Sequence, residues 1–83
     1  MLLYQAVLYP ADDDGIWGCA VPDLLINASG RDRAWAIEDA VAIMSEVLAD
    51  MSARGEPFPE PSVDIDLDGG TLVILPAKLA EPA

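Results

Sequence analysis

Asp64, Asp66 and Asp68 occupy alternate positions, and Asp12, Asp13 and Asp14 stand in a row. Alternate carboxylates on an extended strand project to one face, where a pair can hold magnesium. The same spacing also describes a solvated face opposite Val63, Ile65 and Leu67, and that is the preferred reading. The run at residues 12–14 lacks the alternate spacing and late glutamate of a helix-loop-helix calcium loop, so it reads as a charged turn. Histidine is absent. Ser29, Ser45, Ser52 and Ser62 therefore have no imidazole to activate them, and the usual acid–base group near neutral pH is missing. Gly69-Gly70 lacks the lysine of a phosphate loop, and Gly15, Gly18 and Gly30 form no dinucleotide fingerprint. This inventory predicts no enzyme, no metal site and no cofactor. The side chains left to do work are Trp17 and Trp35, which can anchor a core or a partner.

Fifteen acids against four bases give a formal charge of −11 over 83 residues. That balance argues against contact with nucleic-acid phosphates and against an anionic membrane surface. It permits a basic partner and would steer one toward the chain. Cys19 is the single cysteine, which fits a reducing cytoplasm and a packed rather than reactive thiol. The apolar start turns acidic after nine residues without a basic leader, unlike a signal peptide, and no apolar run approaches a membrane span. One domain with a small core is expected, and at this size oligomerisation is an expected remedy.

These residues are positioned by one long helix. From Asp32 to Arg54, Ala36, Ala40, Ile43, Met44, Val47 and Met51 follow a 3.6-residue period, widened by Ile37, Val41 and Leu48. Asp32 suits the N-cap, and Arg54 followed by Gly55 suits the end. The span of about 22 residues is roughly 33 Å long, and its apolar face needs a sheet to cover it. Leu2 to Tyr9 and Ile16 to Val21 form a strand pair around the acidic turn. Leu25 to Ala28 reads as a brief third strand. Trp35, one turn into the helix, is expected to anchor that end on the sheet, and Trp17 to meet Tyr4 across the hairpin. Pro57, Pro59 and Pro61 hold residues 55–62 extended as a spacer, with Phe58 plugging the end of the core. Val63 to Leu67 is either the first arm of a hairpin with Thr71 to Leu75 or an irregular edge. Residues 1–76 make the domain and residues 77–83 a tail.

The order of these signals resembles the HicB-like antitoxins. The second strand closes on Val21-Pro22-Asp23-Leu24, matching a phrase of that family. A glycine precedes the helix at Gly30, a capping residue falls on Asp32, and a helix alanine falls on Ala36. The resemblance covers residues 2–76. It implies an α+β, two-layer sandwich of truncated ribonuclease H-like form, β-β-β-α-β, with one long helix on an antiparallel or mixed sheet. It further implies an antitoxin that binds and occludes a small basic mRNA-cleaving toxin of the HicA type, a protein partner met without turnover. Two departures stand out. Leu25-Ile26 replaces the family's Pro-Gly, and Ala34-Trp35 replaces acids at the helix start. They suggest a junction shaped for a different partner or for self-association. The expected partner contacts are Trp17, Asp23, Leu24, Leu25 and Trp35. No DNA-binding domain fits after Leu75, so direct contact with nucleic acid is not expected. The alternative is a homo-oligomeric structural or adaptor domain with no toxin partner.

Overall fold

The computed structural model describes residues 2–77. Its first turn is built by Asp12. The Asp12 Oδ1 accepts from the amides of Asp14 at 2.9 Å and Ile16 at 3.0 Å, and Gly15 takes φ +79°, where a side chain would be strained. This turn joins β1 (Leu3–Tyr9) to β2 (Trp17–Val21) as an antiparallel pair, with Leu8 opposite Cys19 and Tyr9 opposite Gly18.

Pro22 starts a single 3₁₀ turn, Pro22–Leu24, closed by the Leu25 amide donating to the Pro22 carbonyl at 3.2 Å. Leu25 itself lies in the left-handed region, at φ 55° and ψ 40°. It reverses the chain and cannot pair as a strand residue. The third strand is therefore β3 (Ile26–Gly30), one residue later at its start and two at its end than the expected Leu25 to Ala28. It pairs antiparallel with β2 from Trp17–Gly30 to Val21–Ile26.

The helix, α1 (Arg33–Ala53), begins where Asp32 Oδ1 accepts from the Trp35 amide at 2.7 Å. It stops at Gly55, whose φ of +71° and the bond from the Glu56 amide to the Met51 carbonyl at 2.9 Å form a left-handed C-terminal cap. Ala36, Ala40, Met44 and Leu48 are its buried stripe, flanked by half-buried Ile37, Val41, Ile43, Val47 and Met51. The alanines at the start bring the helix close to the sheet, and it packs chiefly on β3 and β2, barely reaching β1.

β1 is covered by the segment that follows. Phe58 packs against the core, and the Tyr4 hydroxyl donates to the Pro59 carbonyl at 2.6 Å. Ser62 then donates from its amide to Asp23 Oδ2 at 2.7 Å and from its hydroxyl to Asp23 Oδ1 at 2.6 Å. Gln5 Nε2 donates to the Val63 carbonyl at 3.2 Å. The chain thus passes from the helix side of the sheet to the opposite face, where Val7 is only 1% exposed. Gly70 closes this strap. A Cβ there would collide with Val7 Cγ1 and meet the Leu8 carbonyl at 2.9 Å. The last strand, β4 (Thr71–Pro76), pairs antiparallel with β1 from Leu3–Pro76 to Leu8–Thr71.

The fold is α+β, with one helix on a four-stranded antiparallel sheet of order β3-β2-β1-β4. Of the two readings of residues 63–67 the irregular one holds, since no strand forms there. β4 runs through Pro76, and residues 78–83 of the expected tail lie outside the described residues. One further expectation needs correction. Tyr4 and Trp17 do not meet. Tyr4 lies opposite Leu75, while the β1–β2 register leaves Trp17 facing the end of β1, beyond Tyr9.

Candidate functional site

The strand register gathers several features at one end of the sheet. The turn of Asp12, Asp13 and Asp14 lies there, because it links the end of β1 to the start of β2. Gly30 lies there opposite Trp17, followed by Asp32 and the start of α1. Asp66 and Asp68 lead into β4, which begins opposite Leu8 at the same end. All six of these aspartates are exposed.

Gly30 fixes how the helix leaves the sheet. A Cβ at this position would stand 2.6 Å from the Ala36 amide and 2.8 Å from Trp35 Cβ. Only glycine lets the first helical turn lie this close to the end of β3. The turn then carries Trp35 outward. Its side chain is 51% exposed, with the Arg31 guanidinium 5.1 Å from the ring centroid. This corrects the expectation that Trp35 anchors the helix on the sheet. Trp17 is the tryptophan that packs against the core, half-buried on the helix side.

The other expected contacts lie at the opposite end of β3. Leu24 is half-buried on the core. Asp23 is already engaged, both carboxylate oxygens accepting from Ser62. Leu25 is 90% exposed. A leucine in the left-handed region costs about 1–2 kcal/mol, and here that residue also faces water. Of the five expected contacts, then, Leu25 and Trp35 are free to touch a partner, two are half-buried on the core, and one is a strap anchor.

Electrostatics separate the two ends further. Among the described residues, ion pairs form only around Arg54, with Asp50 at 2.8 Å and Glu56 at 3.5 Å, at the far end of the helix. Among the described residues the six aspartates at the Trp35 end form no ion pair, although Arg31 and Arg33 flank Asp32 there. Asp66 Oδ1 accepts from the Asp68 amide at 3.0 Å, which makes it a turn-former; Asp64 and Asp66 do not share a strand face, since no strand forms there. Among the described residues no group of three or more His, Cys, Asp or Glu is placed to hold a metal ion. Two groups have shifted acidities. Burial, and then the neighbouring Asp23 carboxylate, raise the Tyr4 phenol above 10.0. Burial alone raises the Cys19 thiol above 9.0. Both sit inside the core and are 0% and 1% exposed, which suits packing rather than reaction.

Sequence reasoning missed Arg31 as the residue that stacks on Trp35, and it missed the strap-binding role of Asp23. The first had a local signal, a basic residue four positions before an aromatic. The second had none, since its partner lies 39 residues away. No helix of the described residues is long and apolar enough to cross a membrane. Comparison with known protein families, with curated proteins and with solved structures finds no match.

Proposed function

We propose that this chain is a non-catalytic inhibitor that binds a small basic, mRNA-cleaving toxin of the HicA type and occludes its RNA surface, as a HicB-like antitoxin of truncated ribonuclease H-like form working in the cytoplasm. The observation that carries this reading is exposed Trp35 at the end of the sheet where six exposed aspartates gather, none of which forms an ion pair among the described residues. Such an arrangement suits a basic protein surface. Charge speeds the encounter and rejects wrong partners, and the aromatic side chain supplies affinity once it is desolvated.

Leu25 supports the same reading. It lies at the other end of β3, a strand of five residues or about 17 Å. An interface of about 800 Å² per partner spans that distance. A partner lying along β3 therefore reaches both side chains. The chain acts by covering the toxin's catalytic groups and contributes none of its own.

The test is co-purification with a short basic protein of the HicA type, sought among the genes adjacent to this one, followed by RNA cleavage with and without this chain. A stable complex that silences cleavage is expected, with encounter slowing as salt is raised. Trp35→Ala should weaken binding by about 30-fold, a loss of roughly 2 kcal/mol, while the thermal midpoint of the free chain stays close to wild type. A chain that forms no complex, or a complex that leaves cleavage intact, overturns the reading.

A further inference from the structure

β4 is an edge strand of unusual composition for so acidic a chain. Thr71, Leu72, Val73, Ile74 and Leu75 carry no charge, and among the described residues no strand pairs on its far side. Leu72 is 43% exposed and Ile74 54%, and both point away from the helix side, as does Leu3, at 50%, on neighbouring β1. Edge strands are normally blunted by lysine, an internal proline, a bulge or a covering element. Between Thr71 and Leu75 β4 has no lysine, proline or bulge, and among the described residues no strand covers its far side.

The phase of its hydrogen bonds is fixed by the Ala77 amide, which donates to the Leu2 carbonyl at 2.9 Å. In an antiparallel ladder the direction of the backbone groups alternates. Thr71, Val73 and Leu75 therefore point toward β1, while Leu72 and Ile74 present their N–H and C=O groups to the free edge. We propose that this edge binds the same edge of a second copy of the chain. The two β4 strands run antiparallel about a twofold axis at Val73, each Leu72 exchanging both backbone hydrogen bonds with Ile74 of the other copy. All four free groups on each strand are then used, and the helices lie on one face of a continuous sheet.

The self-complementary phase of Leu72 and Ile74 selects a second copy as the occupant, and the uncharged edge permits it. Two chains of net charge −11 repel wherever their carboxylates meet, and the β4 edge is where they can touch without opposing like charges. A basic partner gains nothing there. The opposite edge explains why assembly stops at two. On β3 the Ser29 amide, which faces outward, donates to Asp39 Oδ2 of α1 at 3.3 Å, and the helix packs alongside. A β4-to-β3 contact, which would repeat into a filament, has to displace that bond, whereas the self-complementary contact closes on itself. This inference does not depend on the inhibitor reading.

Sedimentation equilibrium of the full chain tests it. A dimer is expected, tightening as ionic strength rises, because salt screens the repulsion and leaves the apolar edge pairing. Ile74→Pro removes only an outward-facing N–H and leaves the β1 ladder intact; it should weaken the dimer by about tenfold or more. Ile74→Lys should do the same by placing like charges across the axis, with far-ultraviolet circular dichroism unchanged in at least one of the two variants. Val73→Cys should cross-link to itself under mild oxidation, since the two Val73 positions face each other as a non-hydrogen-bonded pair. A wild-type chain that sediments as a monomer across the micromolar range overturns the proposal. So does a dimer that survives both folded variants, or one that Val73→Cys fails to cross-link.

Discussion

The two halves of the sheet are covered by different means. Over β2 and β3 lies α1, whose Ala36, Ala40, Met44 and Leu48 are 0% exposed and whose cap and stop are set by neighbouring residues. Over β1 lies an irregular strap tied by three long-range polar contacts, Tyr4 to Pro59, Ser62 to Asp23 and Gln5 to Val63. The first half is held by buried apolar area, which is non-directional and cooperative. The second is held by a few directional bonds at points where proline has already removed donors and conformational freedom. From this contrast, the helix half should set global stability, while the strap should open locally at lower cost.

The largest effect is expected in the helix half. Leu48→Ala removes a fully buried side chain and should cost about 2–5 kcal/mol by transfer and cavity formation. Denaturant unfolding would show the loss as a lowered midpoint, and a cost under about 1 kcal/mol would mean that the helix is not the dominant cover. Next is Asp23→Ala, which leaves Ser62 without either acceptor and should cost about 1–3 kcal/mol. The sharper reading is by amide exchange. Residues of the strap should exchange faster while those in α1 keep their protection. If helix protection fell equally, the two halves would be one cooperative unit and the contrast would break.

The smallest effect at neutral pH is expected from Tyr4→Phe, about 0.5–1.5 kcal/mol for the lost bond to Pro59. Its pH dependence sharpens the comparison. The folded-state pKa of Tyr4 is raised by burial and by Asp23, so the folded state holds its proton where the unfolded chain has released it. That contribution is complete below the ordinary phenol value of 10.0 and is lost as pH rises through the higher folded value. Cys19 acts with the same sign above 9.0. Stability measured across this alkaline range should therefore fall in the wild type, and fall less steeply in Tyr4→Phe, which retains only the Cys19 share. Equal slopes would show that Tyr4 is not held neutral by the strap.

Parts of this fold were legible because they are local. The 3.6-residue stripe from Ala36 to Met51, the Asp32 cap and the Gly55 stop act within a turn or two of the chain, and all three lie where the sequence places them. The β1–β2 pair follows from the Asp12 turn in the same way. The start of β3 was misplaced because an apolar residue at Leu25 reads as strand, whereas the 3₁₀ turn from Pro22 forces it into the left-handed region. Residues 63–67 alternate apolar and acidic positions as a strand would, yet they form no strand and cross the face of β1 as part of the strap.

The candidate site divides along the same line. By itself the sequence determined that the chain is strongly acidic, that it carries one long capped helix, and that an acidic turn and a glycine precede and frame that helix. Only the tertiary structure decided which aromatic is free. Trp17 and Trp35 are equivalent by type, and the close approach at Gly30 turns Trp35 outward while the pleat of β2 turns Trp17 inward. It likewise decided that Asp23 holds the strap, since Ser62 is 39 residues away, and that among the described residues β4 ends the sheet with no strand on its far side. Caps and periodicity are written in neighbours three or four residues apart. Exposure and long-range hydrogen bonds depend on which surfaces meet, and that is fixed only when the whole chain has closed.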